Sequence, residues 1–438
     1  MTPDAVDELF QRANQLLSEG RCLEAIALYE QVREHWPNHA EAVSNIGVAH
    51  ADLGRHVEAI VHYDTAIRLK PTAAEAYFNR GNSLKELGRL ADALSSYDTA
   101  LGLRPDLASA WVNRGLALVR LGRLADAVVS YRRALQLRPD RPEGLNNLGL
   151  ALQHLGRVEQ AIDHFDAALR ARPDWPDART NRAQALLLKG DFRRGWPEYE
   201  WRWRLPRCQL PPRPMPQWDG SPLAGRSILL RAEQGSGDTL QFVRYAELVK
   251  QAGAGRVTLE APARLHPLLQ TCAGIDNFTV RENLDESSDV QIPLLSLPGV
   301  LRTDFRTIPR RVPYLAAEPE RIERWKARLP EAGLRVGIAW QGSPGYPEDH
   351  LRSISLAAFE QLAKWPGVRL VSLQIGDGAG QIEALRERVP VAELGADLDA
   401  DGAFLDTAAV MMSLDLVVTS DTSIAHLAGA LGRPTWVA

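Results

Sequence analysis

The sequence predicts a helical repeat solenoid followed by two α/β lobes, each built on a parallel sheet. Three observations predict it. Residue columns recur every 34 positions through the first half, the second half alternates strand and helix patterns, and a Trp/Pro-rich stretch separates them. The 438 residues carry 51 Lys+Arg against 55 Asp+Glu, with 45% hydrophobic and 24% charged residues. That composition supports a buried core and excludes a wholly disordered chain. A net charge of −4 also excludes a general nucleic-acid binder, which needs a concentrated basic surface.

The repeat is read from its columns. Pro37, Pro71, Pro105, Pro139 and Pro173 are evenly spaced, as are Gly20, Gly54, Gly88, Gly122, Gly156 and Gly190. Ala25, Ala59, Ala93, Ala127 and Ala161 form a third column, and Tyr29, Tyr63, Tyr97, Tyr131, Phe165 and Tyr199 a fourth. In each unit a segment such as AEAYFNRGNSLKELG has helical apolar spacing and ends at a glycine suited to the helix C′ position. A second segment such as RLADALSSYDTALGLRP is an amphipathic helix stopped by its proline. Small Gly and Ala columns let the two helices approach, and the aromatic column is expected to fill the space between neighbouring units.

These residues resemble the tetratricopeptide repeat. The resemblance gives five full units, about 6–39, 40–73, 74–107, 108–141 and 142–175. A sixth, 176–205, departs in its second helix at Gly195 and Pro197, so the array is expected to span 1–205. Such a stack forms a superhelix with a concave groove. Asn45, Asn79, Asn113, Asn147 and Asn181 lie on the first helix of each unit, in the register that faces that groove. Their amides can donate to and accept from an extended peptide backbone, so a protein or peptide partner is expected there. The plainer alternative is that asparagine is common at this repeat position.

Residues 206–226 form a Trp/Pro-rich junction. A flexible linker would be rich in Gly and Ser, whereas Trp196, Trp201, Trp203 and Trp218 predict a packed one, wedging the array against the next domain. The string EYEWRWR also suggests stacking on nucleic acid, but its interleaved acids argue against that.

From Ser227 onward, strands read at 227–232, 256–261, 277–280, 289–292, 334–340, 368–374, 414–420 and 434–437, with helical stretches between most of them. The alternation implies parallel sheets with right-handed crossovers. It gives a first Rossmann-like lobe at 227–315 and a second at 333–438, with ligands expected at the carboxyl ends of strands.

Two strand-to-helix junctions stand out. RAEQGSGDTLQFVRY places Gly235, Gly237 and Asp238 directly after the first strand. It lacks the third glycine of GxGxxG and any GK[ST]. Asp238 reads either as a helix cap or as a carboxylate poised to take a proton from an acceptor hydroxyl. In LDLVVTSDTSIAHLAGALGRPTWVA, the run Asp421, Thr422, Ser423, Ile424 and His426 opens a helix whose amides suit a diphosphate. A capped helix with a satisfied histidine is the plainer reading.

The second junction resembles the nucleotide-sugar-binding signature of family 9, heptosyltransferase-like glycosyltransferases of GT-B fold, and GSGDTLQF resembles their early Gly-Asp element. WDGSPLAGRSILLRAEQGSGDTLQFVRY, LRVGIAWQGSP and LRSISL are similar to bacterial proteins that fuse tetratricopeptide repeats to this domain. The resemblance implies Asp238 as general base, Gly235 and Gly237 positioning its loop, and Asp421, Thr422, Ser423, Ile424 and His426 holding the donor diphosphate. Ser343 and Arg352 would add phosphate contacts, with arginine where the family usually has lysine. It implies a nucleotide-diphosphate sugar as co-substrate, a hydroxyl acceptor held by the groove, and no metal or other cofactor. DLDAD at 397–401 is the one metal-like motif. The family's second lobe normally continues beyond the strand PTWV, so the lobe is expected to be incomplete. An interaction scaffold with an inactive transferase-like domain is the alternative function, and a surface polysaccharide is the alternative acceptor.

Cys22, Cys208 and Cys272 are widely spaced, as expected of reduced thiols. No signal peptide or apolar run of roughly 20 residues is visible, so a cytoplasmic protein without a membrane span is expected.

Overall fold

A computed structural model describes residues 2–283, 287–343, 345 and 349–438. It divides into two compact units, residues 1–185 and 186–438.

The first unit is built from antiparallel helix pairs: α1 (Pro3–Ser18) with α2 (Cys22–His35), α3 (Ala40–Asp52) with α4 (His56–Leu69), and α5 (Ala74–Glu86) with α6 (Leu90–Leu103). Then come α7 (Ala108–Arg120) with α8 (Leu124–Leu137), and α9 (Pro142–His154) with α10 (Val158–Ala171). Helix α11 (Pro176–Lys189) begins a sixth pair. Each first helix ends as its glycine predicts. Gly54 has φ 74°, and the amides of Gly54 and Arg55 turn back to the carbonyls of Ala51 and His50. Only a residue without a Cβ adopts that conformation freely.

The aromatic column does more than meet the neighbouring unit, as the Tyr29 hydroxyl does by accepting from Asn45 of the next repeat at 3.3 Å. Four of its rings also lie over a glycine of their own repeat. A Cβ at Gly47, Gly81, Gly115 or Gly149 would stand 2.7, 2.6, 2.5 or 2.6 Å from the ring of Tyr63, Tyr97, Tyr131 or Phe165. The glycine opens a slot inside the hairpin, and the ring of the second helix occupies it.

In the second unit the sixth pair breaks down: α12 (Phe192–Tyr199) contains Pro197 and gives way to a 3₁₀ turn over Glu200–Arg204. Gly195 is there because a Cβ would stand 2.6 Å from Leu187 Cδ2. Among the described residues nine strands follow: β1 (Ser227–Arg231), β2 (Arg256–Glu260), β3 (Asn277–Thr279), β4 (Val290–Pro293), β5 (Leu334–Ala339), β6 (Val368–Ser372), β7 (Val391–Ala392), β8 (Leu416–Thr419) and β9 (Thr435–Val437). All pair in parallel, in the orders β3-β2-β1-β4 and β7-β6-β5-β8-β9. Strand order therefore reverses between β1 and β4 in one sheet and between β5 and β8 in the other. Burial on both faces explains the apolar strands: β1 is buried throughout, and Val336, Ile338, Leu370 and Val418 pack around the fully buried Trp340.

The Trp/Arg string is a clamp. Arg202 is fully buried between the rings of Tyr199 and Trp203, 4.5 and 4.4 Å from their centres. Its guanidinium donates to Glu233 just past β1 (2.9 and 3.1 Å), to Glu200 (2.7 Å) and to Ser296 (2.8 Å). Trp196, Trp203 and Trp218 donate to Thr303, Glu200 and Ser221, all within this unit. These side chains hold the turn to the first sheet.

Among the described residues no helix is long and apolar enough to cross a membrane. Cys22 and Cys272 are free, buried thiols.

Candidate functional site

The asparagine column comes together along one face of the array, but its members are not equivalent. Asn45 donates to Asn14 (3.0 Å) and to the Tyr29 hydroxyl (3.3 Å), Asn113 to Asn82 (2.8 Å) and Asn181 to Asn146 (3.0 Å). Those amides stitch one repeat to the preceding one. Asn79 and Asn147 have no side-chain hydrogen bond among the described residues; Val48 and Leu116 occupy the positions that Asn14 and Asn82 hold relative to Asn45 and Asn113. Both are half-buried and keep their full amide capacity.

Asn113 and Asn147 line a cavity of about 460 Å³ between α7, α8 and α9. Its floor is apolar, with Ala108, Val112, Leu116, Leu135 and Gly144, and its rim carries Ser109, Arg138, Arg141, Glu143 and Trp175. Mostly apolar walls with a few convergent polar groups are the usual make-up of a ligand pocket.

In the second unit the residues picked out by sequence all lie at the two strand-order reversals. Gly235, Gly237 and Asp238 follow β1, Ser343 and Arg352 follow β5, and Asp421 to His426 follow β8. The reversals are brought together by the helices Ser236–Phe242 and Ser423–Ala430, which pack on each other. Gly237 makes this possible, since a Cβ there would stand 2.8 Å from His426 Cδ2 and 3.3 Å from Ser423 Cα.

Asp238 satisfies the capping reading with one oxygen only. Oδ2 accepts from the Gly235 amide at 3.0 Å, one half of a capping box, since Gly235 has no side chain to return the bond. Oδ1 has no hydrogen-bond partner among the described residues. Burial pushes its pKa above the ordinary carboxylate range and the nearby Asp421 adds to this, against the Gly235 amide and His426. Gln234, just before, is held at φ 56° and donates to the Tyr199 hydroxyl at 3.1 Å.

Around the second junction, Thr422 is the N-cap of the Ser423–Ala430 helix, but its side chain makes no capping bond; its hydroxyl faces that of Thr419 at 3.4 Å. Ile424 is buried, His426 and Ser423 are half-buried, and Asp421 is exposed. Arg352 reaches the Asp421 carbonyl at 3.2 Å while Asp349 accepts from its Nε at 3.0 Å. Ser343 is exposed on the same edge; Pro344, which follows it in the motif, lies outside the described residues. The DLDAD aspartates diverge. Asp397 pairs with Arg328 and Asp401 with Arg321, whereas Asp399 accepts from the Asp406 and Thr407 amides. No group of three or more His, Cys, Asp or Glu that could hold a metal occurs among the described residues.

Comparison with known proteins bears on the first unit. Tetratricopeptide-repeat families match residues 10–74 and 78–142, and again 118–187. The first unit carries tetratricopeptide repeats. Protein FlbA of Caulobacter vibrioides is 28% identical over 288 residues, covering 58% of this chain and 47% of FlbA. The chain thus spans about half the length of that relative. Among solved structures, YrrB, a TPR protein with an unusual peptide-binding site, is similar at 21% identity over 41% of this chain and 92% of its own, with a TM-score of 0.37. PilF of Pseudomonas aeruginosa is similar at 18% identity over 46% and 92%, with a TM-score of 0.43.

The charged rim lies outside the motifs that mark the groove in the sequence. Its signal was present: Glu41, Glu75, Glu143 and Asp177 stand 34 residues apart or at multiples of it, and Ser109 interrupts them.

Proposed function

We propose that the protein is a tetratricopeptide-repeat interaction module whose array holds an extended peptide segment of a partner protein. The observation that carries this reading is the pair of uncommitted amides, Asn79 and Asn147, with Asn147 opening onto the apolar cavity. An extended peptide offers one N–H and one C=O per residue, which a side-chain amide matches from either strand direction. The test is capture of peptides from a displayed random library by the whole chain. Binding that survives in wild type and weakens in Asn79→Ala/Asn147→Ala supports the reading; a library that yields no binder sinks it.

A second reading is favoured by the convergence of Asp238, Asp421 and His426 at the reversals of two parallel sheets: a glycosyltransferase using a nucleotide-diphosphate sugar. The acceptor hydroxyl would attack the anomeric carbon and lose its proton to the open Oδ1 of Asp238. The bond from anomeric carbon to diphosphate oxygen would break, with His426 and the amides of the Ser423–Ala430 helix stabilising the departing nucleotide diphosphate. A pKa raised by burial brings the base nearer to working pH. A thermal-shift panel of UDP, ADP and GDP with their sugars tests it. The reading expects one stabilising ligand whose effect Asp421→Ala abolishes, and Asp238→Ala that binds donor without transfer. No shift from any ligand overturns it.

A further inference from the structure

The array's charges follow the 34-residue period. Arg104, at the end of α6, pairs with Glu75 at the start of α5, and Arg172 pairs with Glu143 at 2.6 Å in the same geometry two repeats on. The repeat between them has the arginine, Arg138, but Ser109 where the acid should be. Arg138 accordingly has no side-chain hydrogen bond or ion pair among the described residues. Elsewhere in the array the charges drop out in other ways: one period before Arg80–Asp64 the acid Glu30 stays while Ile46 replaces the cation. The bridges Arg80–Asp64 and Arg114–Asp98 would next fall at 148 and 132, and there the chain has Leu148 and Arg132. At 109 and 138 only the acid is lost.

That missing acid falls inside the cavity, since Ser109 and Arg138 both line it. Arg141 lies on the same rim, 3.7 Å from a Glu143 carboxylate that Arg172 already engages. The rim therefore holds two arginines against one shared carboxylate, above an apolar floor and beside the Asn147 amide. We propose that this pocket recognises an acidic residue of the bound peptide: its carboxylate takes the place of the absent Glu on Arg138, and a neighbouring apolar side chain fills the floor. An arginine fork offers paired donors that match a carboxylate. The inference rests on the peptide-binding reading and adds the chemistry of the segment.

The test uses the whole chain and a phage-displayed library of random peptides. Sequences recovered on wild type should carry Asp or Glu beside an apolar residue. Ser109→Glu restores the repeat's own acid at an exposed position in the first turn of α7, where an acid suits the helix, so the fold should be retained. By pairing with Arg138 it should weaken the best peptide about tenfold in fluorescence anisotropy, the loss of one charge-assisted contact. Arg138→Glu should do the same and regain affinity when the peptide's acid is exchanged for Lys. Recovered peptides without acidic residues, or equal affinity for wild type and Ser109→Glu, overturn the inference while leaving peptide binding intact. Recovery of no peptide at all removes the underlying reading and this inference with it.

Discussion

Gly237 and His426 follow strands of different sheets, yet a Cβ on Gly237 would stand 2.8 Å from His426 Cδ2 and 3.3 Å from the Ser423 backbone. The two loops that sequence marks as chemically interesting are thus packed against each other through a missing side chain. Gly237→Ala should destabilise the second unit by about 1–3 kcal/mol, the usual cost of overpacking. His426→Ala in the same chain should recover part of that loss, because the ring is the nearer obstacle. Urea unfolding checks it, and a neutral Gly237→Ala would mean that the helices can slide apart freely.

The glycine-aromatic locks of the array should be similarly intolerant. Gly81→Ala places a methyl 2.6 Å from Tyr97 Cε1, and a cost of about 1–3 kcal/mol is expected from the displaced ring. Tyr97→Phe keeps the ring and removes only the hydroxyl's 2.9 Å bond to Asn82, so it should cost about 0.5–1.5 kcal/mol. Equal losses for the two variants would contradict the slot.

Arg202 is fully buried and shared between Glu233 and Glu200. Arg202→Ala leaves Glu233 buried without its cation and should cost about 3–5 kcal/mol. Arg202→Lys cannot reproduce the fork or stack between Tyr199 and Trp203, so it should rescue little of this. Chemical denaturation of the two variants distinguishes a clamp from a passive surface string, which would tolerate both.

Burial raises the pKa of Asp238 above its ordinary 3.8. The folded chain therefore holds this proton to higher pH than the unfolded chain does. This group's contribution is most favourable below the unfolded carboxyl pKa and is lost as pH rises through the folded value. Asp238→Asn should flatten that part of the profile and raise the melting temperature at neutral pH relative to wild type. An unchanged dependence of melting temperature on pH would assign Asp238 an ordinary pKa.

Much of this was readable from sequence because periodicity is a local property. The columns of Gly54 and its counterparts and of Pro37 and its counterparts mark helix ends by backbone geometry alone, and the apolar runs at 227–232 and 334–340 mark buried parallel strands. Strand β7 escaped because Val391 and Ala392 are two half-buried residues with no period to detect. Pairings between distant residues were not legible. Arg202 meets Glu233 across 31 positions of unrelated pattern, although charges at and just past the end of an apolar strand, as in Arg231 and Glu233, were a hint that partners exist. The aromatic column was visible, but its direction was not, because only the structure reveals which side of Tyr63 the Gly47 slot opens on. Among the site residues, placement of Gly237 beside His426 depends on how two sheets meet, which no local pattern encodes.

The most direct measurement is affinity for a library-selected peptide in Asn79→Ala/Asn147→Ala against wild type, with the melting temperature recorded alongside. Both asparagines lack side-chain partners among the described residues, so the fold should be unaffected. Losing two peptide hydrogen bonds should weaken binding about tenfold or more. Asn113→Ala, by contrast, also breaks the bond to Asn82 and should lower the melting temperature. Undiminished binding by the double variant would contradict a peptide held along the asparagine column.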